Sequence, residues 1–327
     1  MLKCDAVFQG GGVKGIGLVG AVKAIEKKYN FVNLVGNSAG AIVASLLAVG
    51  YSGEEIEHEL KNLNYLKFKD ETLIDKMGIP GKILSTVLEY GIYEGNYFRN
   101  WIEELFKAKG KTAFGDIRMN DSTDEKYSYK FSAIASDLTE KKMIVIPQDL
   151  KYFGFDPDKF SISLAVRMSM SIPLYFEPVK LQDTTGKTHY IVDGGVLSNY
   201  PIWLLDDGSN NPEWPTIGFK FFENTREVQQ SNKDHSISSI LEYCEDLVDT
   251  MLNAHDKHYI STIKGDFDRT IMIPTEINID GKNKKINTTY FDITQEESNA
   301  LLLNGYNAAE KFLETWDFDL WKEKFRS

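Results

Sequence analysis

Gly36-Asn37-Ser38-Ala39-Gly40 stands between two apolar runs, Phe31-Val32-Asn33-Leu34-Val35 before it and residues 41–49 after it. The pattern reads as strand, sharp turn and helix, with a serine at the corner. A GxSxG turn strains the backbone; glycines two residues to either side let neighbouring elements close in, and the Ser38 hydroxyl projects past the sheet edge. That is a nucleophile's position. Five residues alone leave a second reading open, a small-residue corner that merely packs a helix onto a strand.

Upstream, residues 4–8 form a short apolar strand candidate that runs into Gln9-Gly10-Gly11-Gly12-Val13-Lys14-Gly15, and Ile16, Val19, Val22 and Ile25 then recur at three-residue spacing. Two strand-turn-helix units in succession predict an α/β fold: a mainly parallel central sheet with helices on both faces, in three layers. Ser52 caps a helix from 53 to about 63, with Glu54 and Glu55 where the helix dipole favours carboxylates. Residues 64–110 read as a helical insertion broken by Gly78, Pro80, Gly81, Gly91 and Gly95. Its apolar face of Ile83, Leu84, Val87 and Leu88 suits a lid or plain core, and both readings stay open. A second amphipathic helix, 96–107, puts Phe98, Trp101, Ile102, Leu105 and Phe106 on its buried side.

From Tyr127 the apolar period changes to two. Strands are expected at 131–136, 143–146, 175–181, 190–192, 216–222 and 270–274, and helices at 161–170, 237–263 and finally 296–313. No linker or repeat breaks the chain, so 1–327 is expected to be one domain, with 225–327 as its C-terminal helical and strand extension.

The 327 residues are 42% hydrophobic, enough to bury a sizeable core. A net charge of -11 without clustered Lys and Arg excludes a nucleic-acid-binding body and gives no help toward anionic lipid. Cys4 and Cys244 are far apart, which speaks against a disulfide scaffold and for a reducing compartment. The first residues lack the basic and apolar regions of a signal peptide, and no run reaches the ~18 apolar residues of a membrane span. The expectation is a cytoplasmic protein, with peripheral membrane contact as an addition.

Two glycine turns must be explained together. Gly10 to Gly15 matches GxGxxG between strand and helix, the context for a dinucleotide, yet Gly36-Asn37-Ser38 occupies the place where a ribose-binding Asp or Glu belongs. Nor is the turn followed by the Lys-Ser/Thr of a phosphate-binding loop. If the two strands are parallel neighbours, both turns lie at their C-terminal ends, and the first can aim backbone N–H groups at the Ser38 hydroxyl as an oxyanion hole.

A serine nucleophile needs a base. His58 lies in a charged helix, His235 in a polar loop, and His255 and His258 share a charged helix where a solvated face outweighs a metal pair. His189 precedes Asp193 by four residues, about 13 Å along an extended strand, so the two cannot hydrogen-bond in a Ser-His-Asp relay. Asp193 ends an apolar strand and is followed by Gly194 and Gly195. Partly withdrawn from water, its carboxylate becomes a stronger base for Ser38; Asp-Gly-Gly is equally a plain turn.

Taken in order, these motifs resemble the patatin-like phospholipase family. Gly10-Gly11-Gly12-Val13-Lys14-Gly15 resembles its oxyanion loop, Gly36-Asn37-Ser38-Ala39-Gly40 its nucleophile elbow and Asp193-Gly194-Gly195 its catalytic Asp-Gly-Gly. Met168-Ser169-Met170-Ser171-Ile172-Pro173, Phe176-Glu177-Pro178-Val179, Asn199 and Pro201 fit the intervening and following segments. The resemblance covers residues 5–201, and it is looser after about 225.

It implies a Ser38-Asp193 dyad hydrolysing acyl esters of phospholipids, with Gly10, Gly11 and Gly12 at the oxyanion and Gly15, Gly36, Gly40, Gly194 and Gly195 in support. No metal or other cofactor is implied. Lys14 holds the loop, meets a phosphate, or is a solvated helix-start lysine. Alternatives are a general esterase or acyltransferase with the same dyad, a nucleotide-binding module, and a silent membrane-interaction protein using Trp316, Phe318, Leu320, Trp321 and Phe325. Those aromatics are expected to dock on the body instead, since interfacial helices pair them with a lysine-rich face.

Overall fold

The computed structural model describes residues 1–68, 93–119, 124–206, 208–222, 250 and 265–326. The chain opens with β1 (Leu2–Phe8), α1 (Gly15–Ile25), β2 (Tyr29–Asn37) and α2 (Ala39–Val49), the doubled strand-turn-helix unit expected from the sequence. α3 (Gly53–Asn62) starts at Ser52, whose hydroxyl accepts the Glu55 N–H while the Glu55 carboxylate accepts that of Ser52. This reciprocal cap satisfies two donors that the first turn leaves open. α4 (Asn96–Ala108), β3 (Phe131–Asp137), β4 (Lys142–Ile146), α5 (Ile162–Ser169), β5 (Val179–Gln182) and β6 (Thr188–Asp193) follow. β7 (Thr216–Phe222), β8 (Thr270–Pro274), β9 (Glu276–Ile279), β10 (Lys282–Lys285), α6 (Gln295–Thr315) and α7 (Phe318–Phe325) complete the described chain.

The sheet has the order β5-β6-β3-β2-β1-β7-β8, with β4 also paired to β3. The run from β3 to β8 is parallel, while β4 and β6 are antiparallel to β3. Alternation along β1 divides the interior: Ala6 and Phe8 join the larger core with α1 and α2, and Val7 joins Val35, Ile134, Tyr200, Ile202 and Leu205 on the opposite face.

How β3 is shared decides the location of the site. Ala133 pairs with Gly36 of β2 and with Ile146 of β4, so those strands flank opposite edges of β3. Ala135 pairs with Ile144 of β4 and Asp193 of β6, which puts β6 on the same edge as β2. β2 ends opposite Ile134 and β6, running the other way, ends opposite Ala135. Two strands thus meet end to end along one edge, and their last residues, Asn37 and Asp193, become neighbours.

Three elements differ from the sequence reading. A hairpin of β9 and β10 turns on Asp280 and Gly281, both at positive φ, a signal legible as Asp-Gly between alternating residues but not used. The last helix is followed by α7, because Trp316 is extended and Asp317 caps a new start by accepting the Leu320 N–H. The C-terminal aromatics dock as expected: Trp316 and Trp321 are buried, and Trp321 Nε1 donates to Gly265 O at 3.0 Å. In α4, Phe98, Ile102 and Phe106 are fully buried and belong to the core. The apolar face at 83–88, the helix at 237–263 apart from residue 250, Cys244 and His235, His255 and His258 lie outside the described residues.

Candidate active site

β2 delivers Asn37, α2 begins at Ala39, and Ser38 between them adopts φ 51° and ψ -123°. Few non-glycine residues accept a positive φ, and such strain persists only where the surroundings over-determine it. They do here. A Cβ on Gly36 would stand 2.3 Å from Gly40 O, and one on Gly40 would stand 2.3 Å from Phe8 O. The Ser38 N–H donates to Ser169 Oγ at 2.9 Å, which ties the elbow to the end of α5.

Asp193 is fully buried at the end of β6, and its N–H donates to Ser171 O at 2.8 Å. Oδ1 accepts the Gly195 N–H at 2.7 Å and Asn37 Nδ2 at 3.2 Å. Oδ2 accepts no hydrogen bond of good geometry among the described residues. Burial pushes the carboxyl up to about 6, against the opposing pull of the Gly195 N–H, the nearby Ser38 hydroxyl and Asn37. Such a group is ionised at neutral pH and more basic than an exposed aspartate.

The glycine turn has three different spatial demands. A Cβ on Gly10 would lie 2.4 Å from Asn199 Oδ1 and 3.1 Å from Ser38 Cβ, so this backbone passes directly beside the serine. One on Gly11 would strike the Phe221 ring at 2.3 Å; Gly12 has φ +56° with Thr288 O 2.0 Å from the added atom. The Gly10 N–H donates to Asn199 O at 3.4 Å. Gly15 admits Ala39, whose Cβ would be 3.1 Å away, so the starts of α1 and α2 can approach. Gly194 faces Asn37 Oδ1, 2.4 Å from a Cβ placed there. Lys14 is buried with its ammonium 5.6 Å from the Phe221 ring centre, which overturns the reading of a solvated helix-start lysine.

Asn37 binds these pieces together: Nδ2 donates to both Asp193 Oδ1 and, at 2.8 Å, Asn199 Oδ1. Sequence reasoning gave Asn37 and Ser169 no role. Their signal was present as polar residues in apolar surroundings, but such residues are informative only once their burial is known. His189 is engaged elsewhere, with Nδ1 2.8 Å from Asp137 Oδ2 and Nε2 3.4 Å from Asp183 Oδ2. His58 lies beside Asn62 on α3. Among the described residues, no three His, Cys, Asp or Glu side chains cluster as a metal site.

Beside Ser38 opens a narrow apolar pocket of about 50 Å³, lined among others by Ile42, Leu60, Leu63, Phe98, Phe176 and Phe291. The site therefore joins a strained serine, a buried carboxylate and an oily cavity at the C-terminal end of a parallel sheet.

That arrangement defines an α/β protein with a hydrolase-type serine elbow, and known proteins place it further. Residues 6–206 match the family model described as patatin-like phospholipase. The chain is 38% identical over 318 residues to YqhO of Bacillus subtilis (strain 168), covering 96% of this chain and 99% of that one. It is 26% identical over 199 residues to the probable lipid hydrolase 463L of Invertebrate iridescent virus 6, covering 60% of this chain and 61% of that one. The crystal structure of VipD from Legionella pneumophila superposes with a TM-score of 0.54 at 20% identity, over 95% of this chain and 67% of that chain, a likeness of fold. The chain belongs to the patatin-like phospholipase family. Membership makes it one of the lipolytic hydrolases. No helix among the described residues is long and apolar enough to cross a membrane.

Proposed function

We propose that this protein is a phospholipase A-type acyl hydrolase that cleaves carboxylic esters of phospholipids through a Ser38-Asp193 dyad. The observation that carries the reading is the unpaired Asp193 Oδ2, buried beside the Ser38 hydroxyl at the edge of an apolar pocket. Asp193 takes the hydroxyl proton as Ser38 Oγ attacks the ester carbonyl, and the oxyanion forms against the Gly11 and Gly12 N–H groups. Collapse expels the alcohol, which recovers the proton from Asp193. Water, activated by the same carboxylate, then releases the fatty acid from Ser38. The apolar lining of the pocket suits the methylenes next to the ester, each contributing ~0.8 kcal/mol when buried.

The crowding around Gly11 and Gly12, and the absence of an acidic residue at the end of β2, argue against a dinucleotide on the same turn.

Ser38→Ala and Asp193→Asn are each expected to lower fatty-acid release from phospholipid vesicles by at least ~10³-fold with the melting temperature no lower than the parent's. The measurement is mass-spectrometric product analysis over a lipid panel. Substantial hydrolysis by either variant would overturn the dyad, and release of phosphorylated head group without free fatty acid would overturn the ester specificity.

A further inference from the structure

The pocket beside Ser38 is closed by a residue far along the chain from the rest of the site. Ile42 comes from α2, Leu60 from α3, Phe98 from α4 and Phe176 from the segment after α5. Among the described residues, all of the lining except Phe291 lies within 6–206, the stretch that matches the family model. Phe291 belongs to the loop between β10 and α6, yet it lines the same pocket and is only 6% exposed.

This loop is seated on the site. Ile286, Thr288 and Phe291 are buried, and the Ile286 N–H donates to Thr275 O at 3.4 Å. Thr288 O accepts the Val13 N–H at 3.1 Å, and a Cβ on Gly12 would lie 2.0 Å from that oxygen, so the loop presses against the oxyanion turn itself. Three residues on, the Phe291 ring stacks on Tyr175, with centres 5.3 Å apart and planes inclined by 25°. Tyr175 in turn meets Phe176, another part of the pocket wall, edge to face at 5.2 Å. Just beyond, Thr294 caps α6 by accepting the Glu297 N–H. Phe291 is thus held between an anchor on the glycine turn and a capped helix start, and a ring stacked in close-packed surroundings does not swing aside at small cost.

Size decides what such a wall does. In a pocket of about 50 Å³ the methylenes next to the ester fill the room, and one aromatic ring is a large part of the boundary. We infer that Phe291 is a specificity-determining residue: its ring stops the acyl chain after the first few methylenes and leaves the remainder outside the pocket. Each methylene buried is worth about fourfold in kcat/KM. Methylenes beyond the ring gain nothing in the parent and gain that factor once the ring is removed. The inference rests on Ser38 hydrolysing acyl esters, and it adds what limits the chain.

The test compares p-nitrophenyl butyrate and octanoate, which share a leaving group, in the parent, Phe291→Ala and Phe291→Leu; the leucine variant keeps an apolar side chain should the alanine variant not fold. Phe291→Ala is expected to raise the octanoate-to-butyrate ratio of kcat/KM at least ~tenfold over the parent, with Phe291→Leu between them. Phe291→Trp is expected to lower butyrate turnover relative to acetate, because the larger ring takes room from the pocket. An unchanged ratio, or a proportional loss on both esters, overturns the specificity role, since a ring that only supports the fold lowers turnover without changing the ratio. The chain carrying Ser38→Ala in the same assay separates the two readings. Ester turnover that survives in it overturns the Ser38 nucleophile, whereas turnover that depends on Ser38 with an unchanged ratio overturns the role of Phe291 alone.

Discussion

On the proposed dyad, the buried carboxyl of Asp193 couples activity to stability. Its pKa of about 6 means that a base role disappears as pH falls through 6, so kcat/KM is expected to show an acid limb near that value in a stopped-assay pH profile. A limb near 4 would place the base elsewhere. The same shift has a thermodynamic sign. Because the folded-state pKa is raised above the unfolded value of 3.8, the folded state is favoured by this group at low pH, and that contribution is lost as pH rises through 6. At neutral pH the cost of the ionised form is of order 2–3 kcal/mol. Asp193→Asn is therefore expected to raise the unfolding midpoint in urea at pH 8, with the gain shrinking as pH falls from 6 toward 4. Asp5, buried beside Asn33 and also raised to about 6, contributes the same trend to the whole protein, so the comparison of variant with parent is what isolates Asp193.

At the scale of elements, α1 shows why the apolar period was an incomplete guide. Ile16, Val19, Val22 and Ile25 mark one face, yet nearly the whole helix is buried because its small residues face α6. A Cβ on Gly20 would fall 1.9 Å from Leu302 O, and one on Gly305 would fall 1.8 Å from Gly17 O. The two helices approach backbone to backbone through these glycines, closer than ordinary side-chain packing permits. Gly305→Ala is accordingly expected to cost at least ~3 kcal/mol, because backbone must move and the helix-propensity gain of ~1 kcal/mol cannot offset it. Denaturant titration checks this: an unchanged or higher midpoint would show that α6 shifts freely. α1 lies beneath the glycine turn, so the same substitution is expected to lower turnover even where the variant remains folded.

Across the whole molecule, the end of the chain closes the far side of the body. Arg269, fully buried at the entrance to β8, is held by Asp206 and Asp266, and the Trp321 ring of α7 lies 5.3 Å from its guanidinium. Trp321 also stacks within a row that includes Phe318, Trp316 and Phe325. This accounts for the C-terminal aromatics as body-docking groups and leaves Leu320 as the exposed member. Trp321→Ala is expected to cost ~3–5 kcal/mol, read as a lower urea midpoint. An unchanged midpoint would show that the Trp321 ring contributes little to holding α7 on the body.

The local parts are legible along the chain: the parallel strand-turn-helix start, the glycine turn, the serine elbow and the Asp-Gly-Gly at a strand end. Each is written in neighbouring residues, through apolar period, capping chemistry and the backbone freedom of glycine. Excluding His189 as a partner of Asp193 also needed only the length of an extended strand. What the sequence did not contain was the meeting of Asn37 and Asp193, 156 positions apart. That depends on β2 and β6 ending head to head on one edge of β3, a consequence of strand order and register. The parts of the site missed at first, Asn37 bridging to Asp193 and Ser169 holding the Ser38 N–H, became legible only when burial removed water as their alternative partner. Local chemistry made Ser38 a strained serine at a corner; tertiary packing alone brought a carboxylate, a glycine backbone and an apolar pocket to it.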